Sequence, residues 1–567
     1  MEFESLDPPG KEDETPIIDL AFVSMNAASE TEKQRNKQII RSTAMKSFHR
    51  KQQLRRSQVA GTVDRGLRSK ANRDSRSGQV SPSSSWYGSF DRSSPEGSAS
   101  DMPTPDMSSP DRSIFSQSLA AYSPASLLGA GRVDPFRIQP VDIGSRVDEL
   151  LDHSVKVVWP GLRPSRSDGT GSKIASAWLA KTYESPLIMH ALLFGASVHL
   201  DVLRSPRSSL NNPIRLFHKV QTMRLMNEEL RASEKNRGSL DEAILAVLAL
   251  GTNEVETMVS NMKGRARSPF NSPLSSSQWL DVYGSITHVP VHTTAMRSLV
   301  SRQGGLQNIQ LDSLAEVLSY SDILGATQGL CKPYWPLIVR SNVLLTQNIP
   351  NWLAARRGRG FQDLLAFGIN DSAAAVFQAM LDLTIVIDHH CRGIGPIVDF
   401  VDLIDTRNAI QYSLMSLPTG DELEYGQVSS ICLYEAIRYT AIIYSAAVTF
   451  PLPPSTGIFL TATTRLRNVL DESKSDPCWQ LCPDVLLWIL VLGGIASLGT
   501  ERVWFVQNLA AVSTALNISE WEQVIEKLEN YLWLGSACDS GGQTLWEEVL
   551  ADRTSAGEGE NGTILSF

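Results

Sequence analysis

Asp388-His389-His390-Cys391 sets a carboxylate, two imidazoles and a thiol side by side, the residue types that ligate zinc or pass protons. Their spacing argues against a metal. Adjacent residues on a helix point about 100° apart, whereas a closed zinc site needs three or four converging ligands. Cys478 and Cys482 form a C-x3-C pair with no second pair nearby, so they make neither a convincing zinc half-site nor a redox C-x-x-C. No G-x-S-x-G, phosphate-binding loop or G-x-G-x-x-G occurs. The expectation is no catalytic residue, no metal ligand and no cofactor.

By its letters Asp388-His389-His390-Cys391 matches the signature of protein S-acyltransferases, which place it in a cysteine-rich zinc module between membrane spans. Here no other cysteine lies within forty residues and no span is expected, so the string is read as the polar end of a core helix. The six cysteines, from Cys331 to Cys538, form no disulfide framework and fit a reducing compartment. Met1 to Leu20 lacks the apolar core of a secretory peptide.

Charge is the other available chemistry. The chain carries a net charge of −9, yet positions 33–76 hold fourteen Lys/Arg against two acids, which makes that segment +12 and the remainder −21. Residues 31–56 lack Pro and Gly and read as a basic helix. Like charges at i,i+4 (Lys37/Arg41, Lys46/Arg50, Lys51/Arg55) weaken such a helix until an anion joins it. Lys46, Arg50, Lys51, Arg55 and Arg56 are the candidate contacts to DNA phosphates or to the nuclear import machinery. No leucine heptads follow, so this is not a basic zipper. The alternative is a solvated basic tail.

Around this segment the chain divides by composition. Residues 1–29 read as a disordered acidic N-terminus and 30–76 as the basic arm. Residues 77–126 hold seventeen Ser and six Pro, too little apolar surface to order themselves, and read as a disordered linker. Ser81, Ser94, Ser109 and Ser123 precede Pro, as does Thr104, and phosphorylation there would add negative charge beside the arm. From 127 to 553 the chain turns globular, with almost no alternating strand pattern, and an all-α domain of roughly fifteen helices follows. Residues 554–567 read as a flexible tail.

The uncharged run Val485–Gly499 is apolar nearly all round and is read as the central buried helix of that domain, too short for a bilayer. Other helices are expected at about 147–158 (stopped by Trp159-Pro160), 173–201, 213–233, 240–260, 291–303, 312–328, 361–368, 371–390, 399–416, 422–449, 458–473, 501–515 and 520–533. Ser239-x-x-Glu242 and Ser519-x-x-Glu522 are read as capping boxes, and Gly304-Gly305 as a helix stop. The Ser/Pro/Gly-rich stretch at about 262–290 is expected to be a mobile surface insertion.

Several strings, in order, resemble the fungal-specific transcription factor domain, in the branch with a basic N-terminal stub instead of a full zinc cluster. They are Phe22-Val23-Ser24 with Ile40-Arg41-Ser42-Thr43-Ala44-Met45; Leu128-Gly129-Ala130-Gly131-Arg132-Val133-Asp134-Pro135-Phe136; Val158-Trp159-Pro160; and His199-Leu200-Asp201. Met296-Arg297-Ser298-Leu299-Val300-Ser301-Arg302-Gln303-Gly304-Gly305-Leu306 with Asp322, Tyr434-Glu435-Ala436-Ile437-Arg438 and Glu501-Arg502-Val503-Trp504-Phe505 complete the set. The resemblance implies a nuclear regulator of transcription in a filamentous fungus, of a metabolic or secondary-metabolite pathway, with a helical domain that senses a metabolite or binds partners. The family's binuclear zinc cluster needs six cysteines near the N-terminus, and the first cysteine here is Cys331. Three readings stay open: DNA binding through the basic arm, with selectivity from a homodimer or partner; a co-regulator reaching promoters through proteins of the transcription machinery; or an enzyme or sensor using a pocket between helices, lined by aromatics such as Trp178, Trp488 and Trp504.

Overall fold

The computed structural model describes residues 146–164, 173–204, 212–233, 239–253, 267–286, 290–339, 360–394, 398–423 and 431–556. The acidic N-terminus, basic arm, Ser/Pro-rich linker and the chain beyond 556 lie outside them. All regular structure among the described residues is helical.

In the first half the helices are α1 (Val147–His153), α2 (Lys173–Glu184), α3 (Pro186–Arg204), α4 (Pro213–Ser233), α5 (Asp241–Gly251), α6 (Pro290–Arg302) and α7 (Leu314–Gly329). Pro186 splits what the sequence suggests is one helix over 173–201: it has no N–H to give the preceding turn and opens α3 instead. α3 packs against α1, α2, α4 and α5. α5 is short but apolar on every side, and Ala243 to Leu250 are all buried.

The second half contains α8 (Asp371–Arg392), α9 (Phe400–Ser416), α10 (Ile431–Tyr444), α11 (Ile458–Glu472), α12 (Pro483–Ala496), α13 (Gly499–Ala515), α14 (Trp521–Leu528) and α15 (Gly535–Ala556). α12 is the helix expected to be central, and Leu486 through Leu492 are each 0% exposed. It meets α10, α11, α13, α14 and α15. Each such side chain contributes roughly 1.5–3 kcal/mol by leaving water. Close approach of α13 needs Gly493: a Cβ there would lie 2.4 Å from the Phe505 ring. The body thus has two centres, α3 with α5 and α12, joined where α9 packs on α7.

Several local expectations are corrected. Trp159-Pro160 does not end the first helix; a π turn, Ser154–Val158, precedes Trp159–Leu162 and absorbs the N–H that Pro160 lacks. Ser239 and Glu242 form no capping box: the N-cap is Leu240, and Glu242 pairs instead with Lys181 at 3.0 Å. The box at α14 sits one residue later, with Gln523 Oε1 accepting from the Ser519 and Glu520 N–H groups at 2.9 and 3.2 Å. The Gly304-Gly305 stop is present, both glycines having positive φ.

The stretch at 262–290 differs most. In its described part, 267–286, Phe270, Leu274, Trp279 and Leu280 are buried, so it belongs to the core. The Asn271 N–H donates to the Ala537 carbonyl at 2.9 Å and Ser272 Oγ to the Val448 carbonyl at 2.6 Å. α3, α8 and Ile431–Thr449 are, by length and composition, apolar enough to cross a membrane, and 67%, 61% and 89% of those windows are buried inside the body.

Candidate functional site

The first half holds a half-open cavity of about 70 Å³. Its walls come from α3, α5, α7 and the Ser154–Leu162 turn, with Trp178 added from α2 and Tyr283 from the inserted stretch. Small residues on α3, Ala191, Gly195 and Ala196, leave the space that larger neighbours would fill. Four aromatic rings face it, those of Trp159, Trp178, Tyr283 and Tyr320, and the two indoles meet edge to face at 6.0 Å. No charged side chain lines it.

The polar part of the wall is Ser154, Thr252, Asn253 and Ser321. Ser154 Oγ donates to the Leu150 carbonyl at 2.9 Å and Thr252 Oγ1 to the Leu248 carbonyl at 2.8 Å. Asn253 Nδ2 donates to the Ala249 carbonyl at 2.8 Å and to Thr252 Oγ1 at 3.2 Å. A carbonyl can only accept, so the amide orientation is set. Asn253 Oδ1 is left buried without a hydrogen-bond partner, on a side chain that is 4% exposed. Burial lifts the Tyr283 and Tyr320 phenols well above their ordinary range, so both stay protonated at neutral pH.

A strained turn props the wall. Gln278 and Trp279 both have positive φ, 50° and 55°, in the left-handed region that non-glycine residues rarely occupy. Four groups hold them there. Gln278 Nε2 donates to the Leu162 carbonyl at 2.8 Å, Tyr320 Oη donates to the Gln278 carbonyl at 3.0 Å, and Trp279 Nε1 donates to the Val158 carbonyl at 3.1 Å. The fourth is Arg407, fully buried on α9, whose guanidinium donates to Gln278 Oε1, Ser277 Oγ and Asn408 Oδ1 and lies over the Phe450 ring at 5.0 Å. Burial lowers its pKa to about 10, which still leaves it charged at neutral pH. The Trp279 ring also requires Gly161, since a Cβ there would lie 2.2 Å from Trp279 Nε1.

Two histidine pairs complete the region. His153 Nε2 lies 3.0 Å from His199 Nδ1, and His190 Nδ1 lies 2.9 Å from His218 Nδ1. Burial lowers His199 to about 3 and the other three to about 4, so at neutral pH one ring N–H of each pair meets the other ring's lone pair. His199 also presses edge to face on Trp279 at 4.4 Å.

Lys46, Arg50, Lys51, Arg55 and Arg56, and the phosphorylation candidates Ser81, Ser94, Thr104, Ser109 and Ser123, lie outside the described residues. Asp388-His389-His390-Cys391 does end a core helix: it closes α8, Asp388 pairs with Arg392 at 2.9 Å, and burial raises the Cys391 thiol. Cys478 and Cys482 are buried, and Cys482 is pushed up to about 11. Among the described residues no group of three or more His, Cys, Asp or Glu is placed to hold a metal ion. Of the tryptophans suggested for a pocket, Trp178 lines the cavity. Trp488 instead stacks on Tyr531, and Trp504 packs on Phe505. The wall residues Asn253, Tyr283 and Tyr320, and the Gln278 turn, were not anticipated. The one available signal was Thr252-Asn253, two polar residues directly after an otherwise apolar helix.

The family model for the fungal specific transcription factor domain matches residues 149–550, from the start of α1 to the last turns of α15. No curated protein matches the chain. No solved structure matches it either.

Proposed function

The chain belongs to the fungal-specific transcription factor domain family, a family of transcriptional regulators, and on that premise we propose that it is a nuclear regulator that engages DNA through the basic segment 30–76. The family match over the whole helical body is the observation that carries this reading. The charge distribution supports it: positive charge on a chain of net −9 is concentrated in one +12 segment, which a polyanion attracts. Within the basic segment the DNA contact is assigned to Lys46, Arg50, Lys51, Arg55 and Arg56. Phosphates carry no sequence information, so selectivity comes from a homodimer or from a partner in the transcription machinery. Phosphorylation at Ser81, Ser94, Thr104, Ser109 and Ser123 would weaken the electrostatic hold. The genes controlled would belong to a metabolic or secondary-metabolite pathway.

The test is a salt titration of DNA binding by the full chain and by a variant with the five basic residues changed to Ala. Each lost phosphate contact should reduce the slope of log K against log salt by about 0.9. A slope near zero for the unaltered chain would favour the co-regulator reading, in which a partner supplies the DNA contact. Chromatin occupancy and nuclear accumulation of the tagged chain, with and without residues 30–76, separate import from DNA binding.

A further inference from the structure

We propose that Asp405 and Arg407 of α9 form a clasp that fastens two pieces of the cavity wall to the second half of the body, and that the clasp opens as one unit, freeing the wall while α12 stays folded. The two residues lie two positions apart on α9 and are each 1% exposed. Asp405 accepts from both ends of the guanidinium of Arg163, the residue after the Ser154–Leu162 turn, with Nη2 to Oδ2 at 3.1 Å. Arg407 donates to Ser277 Oγ at 2.5 Å and to Gln278 Oε1, both in the inserted stretch. The two pieces are also tied to each other, Gln278 Nε2 to the Leu162 carbonyl and Trp279 Nε1 to the Val158 carbonyl. Three segments far apart in sequence thus close a ring of polar contacts.

The bonds of this ring depend on one another. Hydrogen bonds to charged groups are strong where water is excluded, and they lose most of that strength once water reaches them. A buried ion pair gains little over two hydrated ions, so Arg163 and Asp405 hold only while the ring stays dry. Release of one tie therefore weakens the others, and the ring lets go as a whole.

Opening here is also cheaper than unfolding the body. Gln278 and Trp279, at φ 50° and 55°, relax to ordinary backbone when the turn is released. The half-open cavity lies against Ser154, Val158, Trp159 and Leu162, so these residues leave fewer packing partners behind than a filled interior would take from them. Water can replace the hydrogen bonds of the ring, whereas it cannot replace the apolar contacts of α12. Opening widens the cavity on the side of the Ser154–Leu162 turn and frees α9, so a change in the wall reaches the second half through these two side chains.

Amide hydrogen exchange of the full chain at neutral pH tests this without DNA, so its outcome is independent of the regulator reading. Asp405→Asn keeps the shape and removes the charge, and Gln278→Met keeps the bulk and removes the acceptor held by Arg407. Each should speed exchange in 155–163, 277–283 and 402–411 together, by a common factor of at least about tenfold, with α12 still the slowest region to exchange. The decisive cross-effect is that of Asp405→Asn on 277–283, which Asp405 does not tie directly. If either variant fails to fold, exchange of the unaltered chain in increasing urea decides: the three segments should merge on one opening curve that lies below that of α12. The proposal is overturned if Asp405→Asn leaves 277–283 unchanged, if the three segments follow separate curves, or if they exchange only together with α12.

Discussion

The two halves of the helical body solve the same packing problem in opposite ways. Around α12 the interior is filled with large aliphatic and aromatic side chains: Leu486 through Leu492 are sealed off, Trp488 stacks on Tyr531, and Gly493 lets α13 press in. Around α3 and α5 the interior is also apolar, but it is interrupted by the pocket and by two buried histidine pairs, and it borders the turn held by the Arg407 guanidinium of α9. Buried polar groups cost stability unless they are satisfied. The first half therefore carries buried imidazoles whose protonation depends on pH, while α12 and its neighbours bury an unbroken apolar run.

Truncating the same residue type in each half should separate them most clearly. Leu490→Ala, in the filled half, should cost about 4–5 kcal/mol, whereas Leu248→Ala, on the cavity wall, should cost about 2–3 kcal/mol. Urea unfolding measures both, and equal losses would remove the distinction between hollow and filled. Arg407→Ala should cost on the order of 3 kcal/mol, because it strands the acceptors on Gln278 and Asn408 and removes one of the four groups that hold the two positive-φ residues. Its signature is faster hydrogen exchange around 277–283 and α7 while α12 stays protected.

The histidine pairs predict a pH effect confined to the first half. Their folded pKa values, about 3 to 4, lie below the ordinary 6.5, so as pH falls the unfolded chain takes up protons first. The stability they allow is complete above about pH 6.5 and is lost as pH drops towards 4, by roughly 1–3 kcal/mol per pair. His199→Gln with His218→Gln should flatten the profile, and a profile unchanged by the pair of substitutions would refute the assignment. The smallest effect is expected at Gly493→Ala, about 1–3 kcal/mol from the clash with Phe505, with a loss that does not vary between pH 4 and 7.

How legible each region was follows from this contrast. α12 stands out in sequence because a helix with no polar face has only one place to go, and α4, α8 and α11 follow from composition and stop signals. α15 was missed because Ser540-Gly541-Gly542 reads as a breaker. Those glycines are there for tertiary reasons: a Cβ at Gly542 would lie 2.4 Å from the Trp521 ring, and one at Gly541 would lie 2.7 Å from the Pro269 carbonyl oxygen. The 267–286 stretch was misjudged for the mirror reason, since its Ser, Pro and Gly masked the four large residues that bury it. The cavity was not legible at all. It exists because residues over a hundred positions apart fail to touch, and no local pattern encodes a gap.

The inserted stretch is anchored at both ends. Asn271 and Ser272 are tied to residues 537 and 448 in the second half, and Gln278 and Trp279 are tied to 162 and 158 in the first. The few residues between those anchors therefore act as a ruler and not as slack rope: their number is a dimension of the molecule. Removing a single one would pull both sets of ties out of register, a sensitivity to length that a surface connection of the same composition would not have.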